Sequence, residues 1–190
     1  MEERRAQLVE KAIEVFSAQP FDDVSLDDVA KQLSISKGLL FHYFPSKRDF
    51  FAAAIESVAE ALYQEIVRPL GETPEEAVRA GVRAYFAYAK RHRTAYVMLV
   101  RKGGGIHPAV DAVLEKTRAR IVDRIVGEAE PELRARPVAK VVVRAWIAFT
   151  ETMCVEWLEK RISQKQAEAL IHRTLFDLVR AIDPESAAID

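Results

Sequence analysis

Apolar residues recur at three- and four-residue intervals along almost the whole chain, the spacing that gathers them on one face of an α-helix. Period-two alternation and the Asn-Gly or Asp-Gly pairs that mark β-hairpins are missing from the sequence, so strands are not expected. Helix starts are marked by a Ser or Thr followed three residues later by an acid or amide: Ser25 with Asp28, Ser46 with Asp49, Thr73 with Glu76 and Ser163 with Gln166. Each is a candidate capping box, in which two otherwise unpaired backbone N–H groups find side-chain acceptors. Pro74, Pro108 and Pro137 suit a first helical turn, where the N–H that proline lacks would have no helical partner. The pattern predicts an all-α fold of nine helices, at about 3–18, 26–32, 36–43, 47–67, 74–92, 94–101, 108–127, 137–160 and 164–182. The glycines at 103–105 read as a loop, and the final DPESAAID as a frayed end.

The eighth predicted helix is apolar on more than one face, and a helix of that kind needs two partners. Val138, Val142, Trp146, Phe149, Met153 and Trp157 form one row, assigned to the domain core and to any cavity within it. Val141, Ala148, Thr152 and Val155 form a second, narrower row rich in small residues, assigned to a second subunit. The ninth helix supplies a matching stripe of Ala167, Leu170, Ile171, Thr174, Leu175, Leu178 and Ile182. Of these, Leu170, Ile171, Thr174, Leu175 and Leu178 are expected in the same interface. Two such helices per chain predict a four-helix homodimer interface about a two-fold axis. Bulky side chains elsewhere in this half, Tyr63, Tyr85, Phe86 and Met98, join Trp146, Phe149, Thr150 and Met153 as the candidate lining of a small-molecule pocket. His92, Arg144 and Glu151 are, with Thr150, the polar groups such a pocket would use.

Composition narrows the class. A hydrophobic content of 49% with 30% charged residues is ordinary for a globular protein, and no stretch approaches the ~18 apolar residues that span a bilayer. The start, MEERRAQLVEK, is charged from its second residue, which predicts no signal peptide. The single cysteine, Cys154, sits among apolar residues and allows no intrachain disulfide, so a reducing, cytoplasmic setting is expected. His42, His92, His107 and His172 are scattered without metal-ligand spacing. No nucleophile elbow occurs, and the segment RKGGGIHP lacks the Lys-Ser/Thr of a nucleotide loop. An enzyme, a cofactor and a metal are therefore not expected.

Charge changes the picture in one place. The net charge is -1, yet residues 31–48 carry Lys31, Lys37, Lys47 and Arg48 with no acid, directly after a segment in which eight acids face three basic residues. Such a reversal resembles an electrostatic footprint for an anionic surface. The same segment holds two short helices separated by Leu33, Ser34 and Ile35, the outline of a helix-turn-helix. Val29, Leu33, Leu40 and Phe44 repeat at helical spacing and predict a small core with Phe16 and Val24, leaving Lys37, Gly38, Leu39 and His42 facing outward. In such a unit the second helix enters the major groove by its N-terminal end. Lys37 is placed to reach a base edge or phosphate, Leu39 a thymine methyl, and His42 and Tyr43 phosphate oxygens. Ser25 and Lys47 lie at helix N-termini, which attract phosphate.

The segment SLDDVAKQLSISKGLLFHYFPSKRDFF resembles the DNA-binding region of the TetR family of transcriptional repressors. The similarity rests on a helix, a short turn, a Ser-Lys-Gly start, an aromatic triplet and a Phe-Pro-Ser-Lys opening of the fourth helix, over about residues 8–55. The resemblance implies that Ser25, Ser36, Lys37, Gly38, Leu39, Phe41, His42, Tyr43 and Lys47 lie at or near DNA. Phe41 stands where a tyrosine is frequent and lacks its hydroxyl, and Leu39 stands where a small hydroxyl residue is common. The family further implies a helix-turn-helix segment at 1–50 and a ligand-binding and dimerisation region at 51–190. The expected function is a ligand-responsive regulator, most simply a repressor. It would bind a palindromic operator in double-stranded DNA as a homodimer and be released by a small, hydrophobic effector. A helical carrier of an apolar ligand that never touches DNA is the rival reading.

Overall fold

The computed structural model describes residues 2–68, 73–97, 99–100 and 108–182. Met98, the glycine loop at 103–105 and the terminal DPESAAID lie outside them. The helices are α1 (Glu2–Ala18), α2 (Leu26–Gln32), α3 (Lys37–Tyr43), α4 (Lys47–Ile66), α5 (Pro74–Arg91), α6 (Arg93–Val97), α7 (Pro108–Gly127), α8 (Pro131–Arg134), α9 (Pro137–Leu158) and α10 (Gln164–Ala181), with a 3₁₀ turn at Phe21–Asp23. No strand occurs among the described residues. All nine expected helices are present. The addition is α8, a single turn begun by Pro131, too short to carry a hydrophobic period.

The helix starts follow the caps. Ser25 and Ser36 accept hydrogen bonds from the N–H groups of Asp28 (3.4 Å) and Leu39 (3.1 Å). Thr73 with Glu76, and Ser163 with Gln166, form reciprocal capping boxes. Two helix ends share a device. At the end of α2, Ser34 takes a φ of 53°, its N–H bonding to the Lys31 carbonyl while that of Ile35 bonds to the Ala30 carbonyl. At the end of α9, Lys160 takes a φ of 62°, with Lys160 and Arg161 donating to the carbonyls of Trp157 and Glu156. Both are Schellman caps, in which a left-handed residue, usually glycine, closes the last turn.

The chain divides into two compact units, Met1–Ala61 with Thr94–Glu115, and Leu62–Arg93 with Lys116–Asp190. The core of the first holds Leu8, Ala12, Phe16, Val24, Val29, Leu40, Phe44, Phe50 and Phe51, all buried. Phe16 stacks edge-on against Phe51 (4.9 Å), and Phe44 lies 5.0 Å from Phe50. In the second unit α9 and α10 pack on one another and both on α5. Trp146 of α9 donates its indole N–H to the Ile171 carbonyl of α10 at 2.7 Å, in the buried interior.

Two expectations about α9 and α10 need correction. The row of α9 that is buried runs through Ala139, Val143, Trp146, Ile147, Thr150, Cys154 and Leu158, about one position on from the expected core row, and Val138 is 43% exposed. On α10 the expected single interface stripe is two rows about 60° apart. Ala167, Ile171 and Leu175 are buried in the chain's own core, whereas Leu170 is exposed and Thr174 and Leu178 are half-buried. Val155 is likewise buried in this core. Ile171, Leu175 and Val155 are therefore consumed within the subunit, because α9 and α10 pack on one another and both on α5.

Candidate nucleic-acid interface and ligand cavity

In the first unit, α2 and α3 pack together through the apolar side chains that sequence spacing assigned to them. Leu40 is fully buried and Phe44 nearly so, which orients the rest of α3. Lys37, Gly38, Leu39 and His42 are exposed, with Phe41 and Tyr43 half-buried. Leu39, 38% exposed, is one of the few large apolar side chains the described surface leaves out. Gly38 has open space around it: a Cβ there would meet nothing nearer than Ser36 Oγ at 4.0 Å. Gly38 is the second residue of α3, where glycine is a poorer helix former than alanine, by less than the ~1 kcal/mol of a helix interior, and no packing among the described residues accounts for it.

The cations of this face are held in place. Lys37 Nζ lies 2.7 Å from Asp27 Oδ1 and 5.8 Å from the Phe41 ring. Lys47 Nζ donates to the Asp22 carbonyl at 3.0 Å and stands 4.7 Å above the Phe21 ring. His42 and Tyr43 meet edge-on at 5.5 Å. Ser25 and Ser36 each cap a helix, and the capping oxygen remains able to accept or donate once more. The structure thus brings the residues of α3 together on one outward face. Lys47 belongs to the start of α4, where its ammonium ties that helix to the 3₁₀ turn.

The second unit holds a partly open cavity of about 380 Å³, within the usual ~300–1,000 Å³ of small-molecule sites. Its walls come from the end of α4 (Ile66), α5 (Ala77, Val78, Gly81, Val82, Tyr85), α7 (Ile121, Ile125, Val126), α8 (Leu133), α9 (Ala139, Val142, Val143, Trp146, Ile147, Thr150) and α10 (Leu175, Phe176, Val179). Of the pocket residues expected from sequence, Tyr85, Trp146 and Thr150 line it. Tyr63, Phe86, Phe149 and Met153 do not, and Met98 lies outside the described residues. Phe86 is buried against Trp157 (4.9 Å), and Tyr63 lies 3.7 Å beneath the Arg120 guanidinium. Phe149 and Met153 are half-buried on the flank of α9, turned off the wall by the same one-position offset that moved the core row. Among the candidate polar groups, Glu151 is bridged by Arg118 at 2.9 Å on both carboxylate oxygens. His92 is exposed and stacks on Tyr88 at 4.6 Å, and Arg144 is exposed.

Beside the cavity, His172 of α10 stacks on the lining residue Phe176 at 4.8 Å, and its Nε2 lies 3.6 Å from Glu75 Oε1. Burial holds the His172 imidazole below its ordinary pKa, with Arg79 adding to the effect and Glu75 opposing it. Glu75 is itself lowered, chiefly by its hydrogen bond from Arg79 at 2.8 Å. The α7 and α8 walls, and Gly81, escaped the reading of the sequence. The four-residue spacing of Ile121 and Ile125 was the available signal for α7.

A helix-turn-helix with an outward-facing second helix, and a helical unit with a largely apolar cavity, are the features of a DNA-binding transcriptional regulator. The family model for bacterial regulatory proteins of the tetR family matches residues 8–54, and that for the tetracyclin repressor-like C-terminal domain matches 74–179. The chain belongs to this family, whose members are transcription factors and not enzymes. It is 23% identical over 191 residues to the HTH-type transcriptional regulator TcmR of Streptomyces glaucescens, covering 93% of this chain and 82% of TcmR. It is 33% identical over 103 residues to the HTH-type transcriptional regulator HbdR of Aromatoleum sp. (strain CIB), covering 53% of this chain and 45% of HbdR. A tetR-family transcriptional regulator from Streptomyces coelicolor superposes with a TM-score of 0.76 at 27% identity, covering 99% of this chain and 86% of that one. None of the described helices is long and apolar enough to cross a membrane.

Proposed function

We propose that this chain is a cytoplasmic repressor that binds an inverted-repeat operator as a homodimer and leaves it when a small apolar molecule enters the cavity. In this reading residues 1–50 carry the DNA contacts, and 51–190 carry the effector and the second subunit. The observation that carries it is the outward face of α3. Lys37, Gly38, Leu39 and His42 are exposed together, and Gly38 is bare of any neighbour that would explain a glycine. Close approach of a nucleic-acid backbone or base edge supplies the reason the chain itself does not.

Support for the dimer comes from α9 and α10. Val141 is 65% and Leu170 46% exposed, and Val138, Ala148 and Thr152 are exposed beside them. A row of small and apolar side chains left in water on two long helices suits a self-complementary contact. Thr174 and Leu178 flank it. The effector would act through α4, which begins at Lys47 and ends at Ile66, a cavity residue. To shift the population from 1:99 to 99:1 it must favour one conformation by about 5.5 kcal/mol.

The test is selection of bound duplexes from a random pool at near-physiological salt, without ligand. Enrichment of an inverted repeat is the expected result. Binding at low salt alone, with no enriched sequence, would overturn operator recognition by the unliganded protein.

A further inference from the structure

Resting on the reading of the cavity as the effector site, we infer that its ligand is an uncharged, largely apolar molecule carrying one hydroxyl or carbonyl group, and that this group is read by Thr150. The side chains that line the cavity are apolar apart from a few. Arg68, Arg124, Glu128 and Glu130 are charged, but all four are exposed, they balance in sign, and Arg124 and Glu128 pair at 2.5 Å. Among the described residues the buried wall therefore offers no unbalanced charge to a ligand ion, and burying an ion without a partner is strongly unfavourable. Trp146 contributes its ring, because its N–H is spent on the Ile171 carbonyl.

Thr150 is different. It is 5% exposed and lines the cavity, and its Oγ1 meets no hydrogen-bond partner among the described residues. Ser17 Oγ and His172 Nε2 share that condition, but neither residue lines the cavity. The usual refuge of a helical threonine hydroxyl is the carbonyl four residues back. Thr152, two residues on in the same helix, takes it, donating to Ala148 at 3.0 Å. Thr150 does not make the corresponding bond. Tyr85 brings the other hydroxyl of the described wall, but Thr150 is the one buried without a partner there, and such a group discriminates sharply, because a ligand that answers it gains a hydrogen bond and one that cannot leaves it orphaned. Threonine can donate to a carbonyl and either donate to or accept from a hydroxyl, so a neutral oxygen group on the ligand answers it in either direction.

The experiment compares three probes of one shape, biphenyl, 4-hydroxybiphenyl and biphenyl-4-carboxylate. Each is measured by equilibrium dialysis against the full-length wild type, Thr150→Val and Thr150→Ser. Valine keeps the volume and removes the hydroxyl, and serine keeps the hydroxyl. The readout is the ratio of hydroxybiphenyl to biphenyl affinity, which cancels the different water-solubilities of the probes. We expect this ratio to fall about tenfold in Thr150→Val, the weight of one buried hydrogen bond, and to be largely kept in Thr150→Ser. The carboxylate should bind the wild type at least tenfold more weakly than hydroxybiphenyl. An unchanged ratio in Thr150→Val, or a carboxylate that binds as tightly as the phenol, overturns the assignment while leaving the cavity a ligand site. Failure of all three probes to bind the wild type overturns the cavity reading as well.

Discussion

Trp146 and Ile171 join α9 to α10, the indole N–H of the first meeting the backbone carbonyl of the second at 2.7 Å in a buried setting. The bond fixes the rotation of α9 and, with it, which residues face inward. Trp146→Phe keeps an aromatic ring but deletes the donor and part of the volume. We expect a loss of about 2 kcal/mol in unfolding free energy, from the lost bond and the added void together. Urea denaturation followed by far-UV circular dichroism checks this, and a loss under half a kcal/mol would remove the bond from any account of α9.

Gly38 separates folding from recognition. Because a Cβ at this position has open space, Gly38→Ala should stabilise the free protein through helix propensity, by less than the ~1 kcal/mol of a helix interior because Gly38 lies in the first turn. If α3 meets the duplex as proposed, the same methyl should weaken operator binding. A higher Tm with unchanged DNA affinity would mean that position 38 does not face DNA.

Lys37 and Lys47 should fail differently. Lys47→Ala should weaken binding to every sequence alike and lower the salt slope by about one phosphate contact. Lys37→Ala should also relax base preference. Asp27 competes for Lys37 at 2.7 Å, so Asp27→Asn should tighten DNA binding, most at low salt. Fluorescence anisotropy with operator and scrambled duplexes from 50 to 300 mM salt separates these effects. Equal, sequence-independent losses from both lysine variants would end the assignment of Lys37 to base readout.

His172 gives the second unit a pH dependence. Burial lowers its pKa, so between that lowered value and the ordinary one the unfolded chain takes up a proton that the folded chain refuses. Its share of stability is complete above the unfolded-state value of about 6.5 and drains away as pH falls below it. Glu75 and Arg79 of α5 are the charged groups that act on it. His172→Gln should flatten the dependence of Tm on pH between about 7.5 and 5.5. Parallel curves for the two proteins would place the acid sensitivity elsewhere.

Lys160 holds the left-handed position of the α9 cap with a φ of 62°, at some cost to an L-residue and none to glycine. Lys160→Gly should therefore stabilise the protein by about 0.5–1 kcal/mol after the greater freedom of glycine in the unfolded chain is counted. Differential scanning calorimetry of the variant is the check, and a lower Tm would show that the side chain earns its place by contacts.

The helix starts were readable in the sequence because a cap acts over three residues, as with Ser25 and Asp28 or Thr73 and Glu76. The outward face of α3 was readable for a similar reason: Leu40 and Phe44, four apart, pin one side of a seven-residue helix. The orientation of α9 was not. Val141, Val142 and Val143 are consecutive and chemically alike, so periodicity cannot choose among them. The choice belongs to α5 and α10, and it puts Val143 inside, Val142 on the cavity wall and Val141 in water. The cavity itself is a gap between side chains from helices far apart in sequence. Gly81, Ile121 and Leu133 each read as unremarkable helix positions, and nothing local in them signals that they surround a space.

Ser34 has a consequence for how this protein could change over time. Its left-handed backbone ends α2 and aims α3, so the pitch of α3 depends on one residue that most amino acids would fill poorly. Glycine, asparagine and aspartate can hold that torsion, whereas a β-branched replacement would force the turn to another shape. On the proposed reading, changes of operator are therefore open to the side chains along α3, which can vary one at a time. Changes of the angle at which α3 is presented are closed to small steps, and the elbow should drift far more slowly than the face it carries.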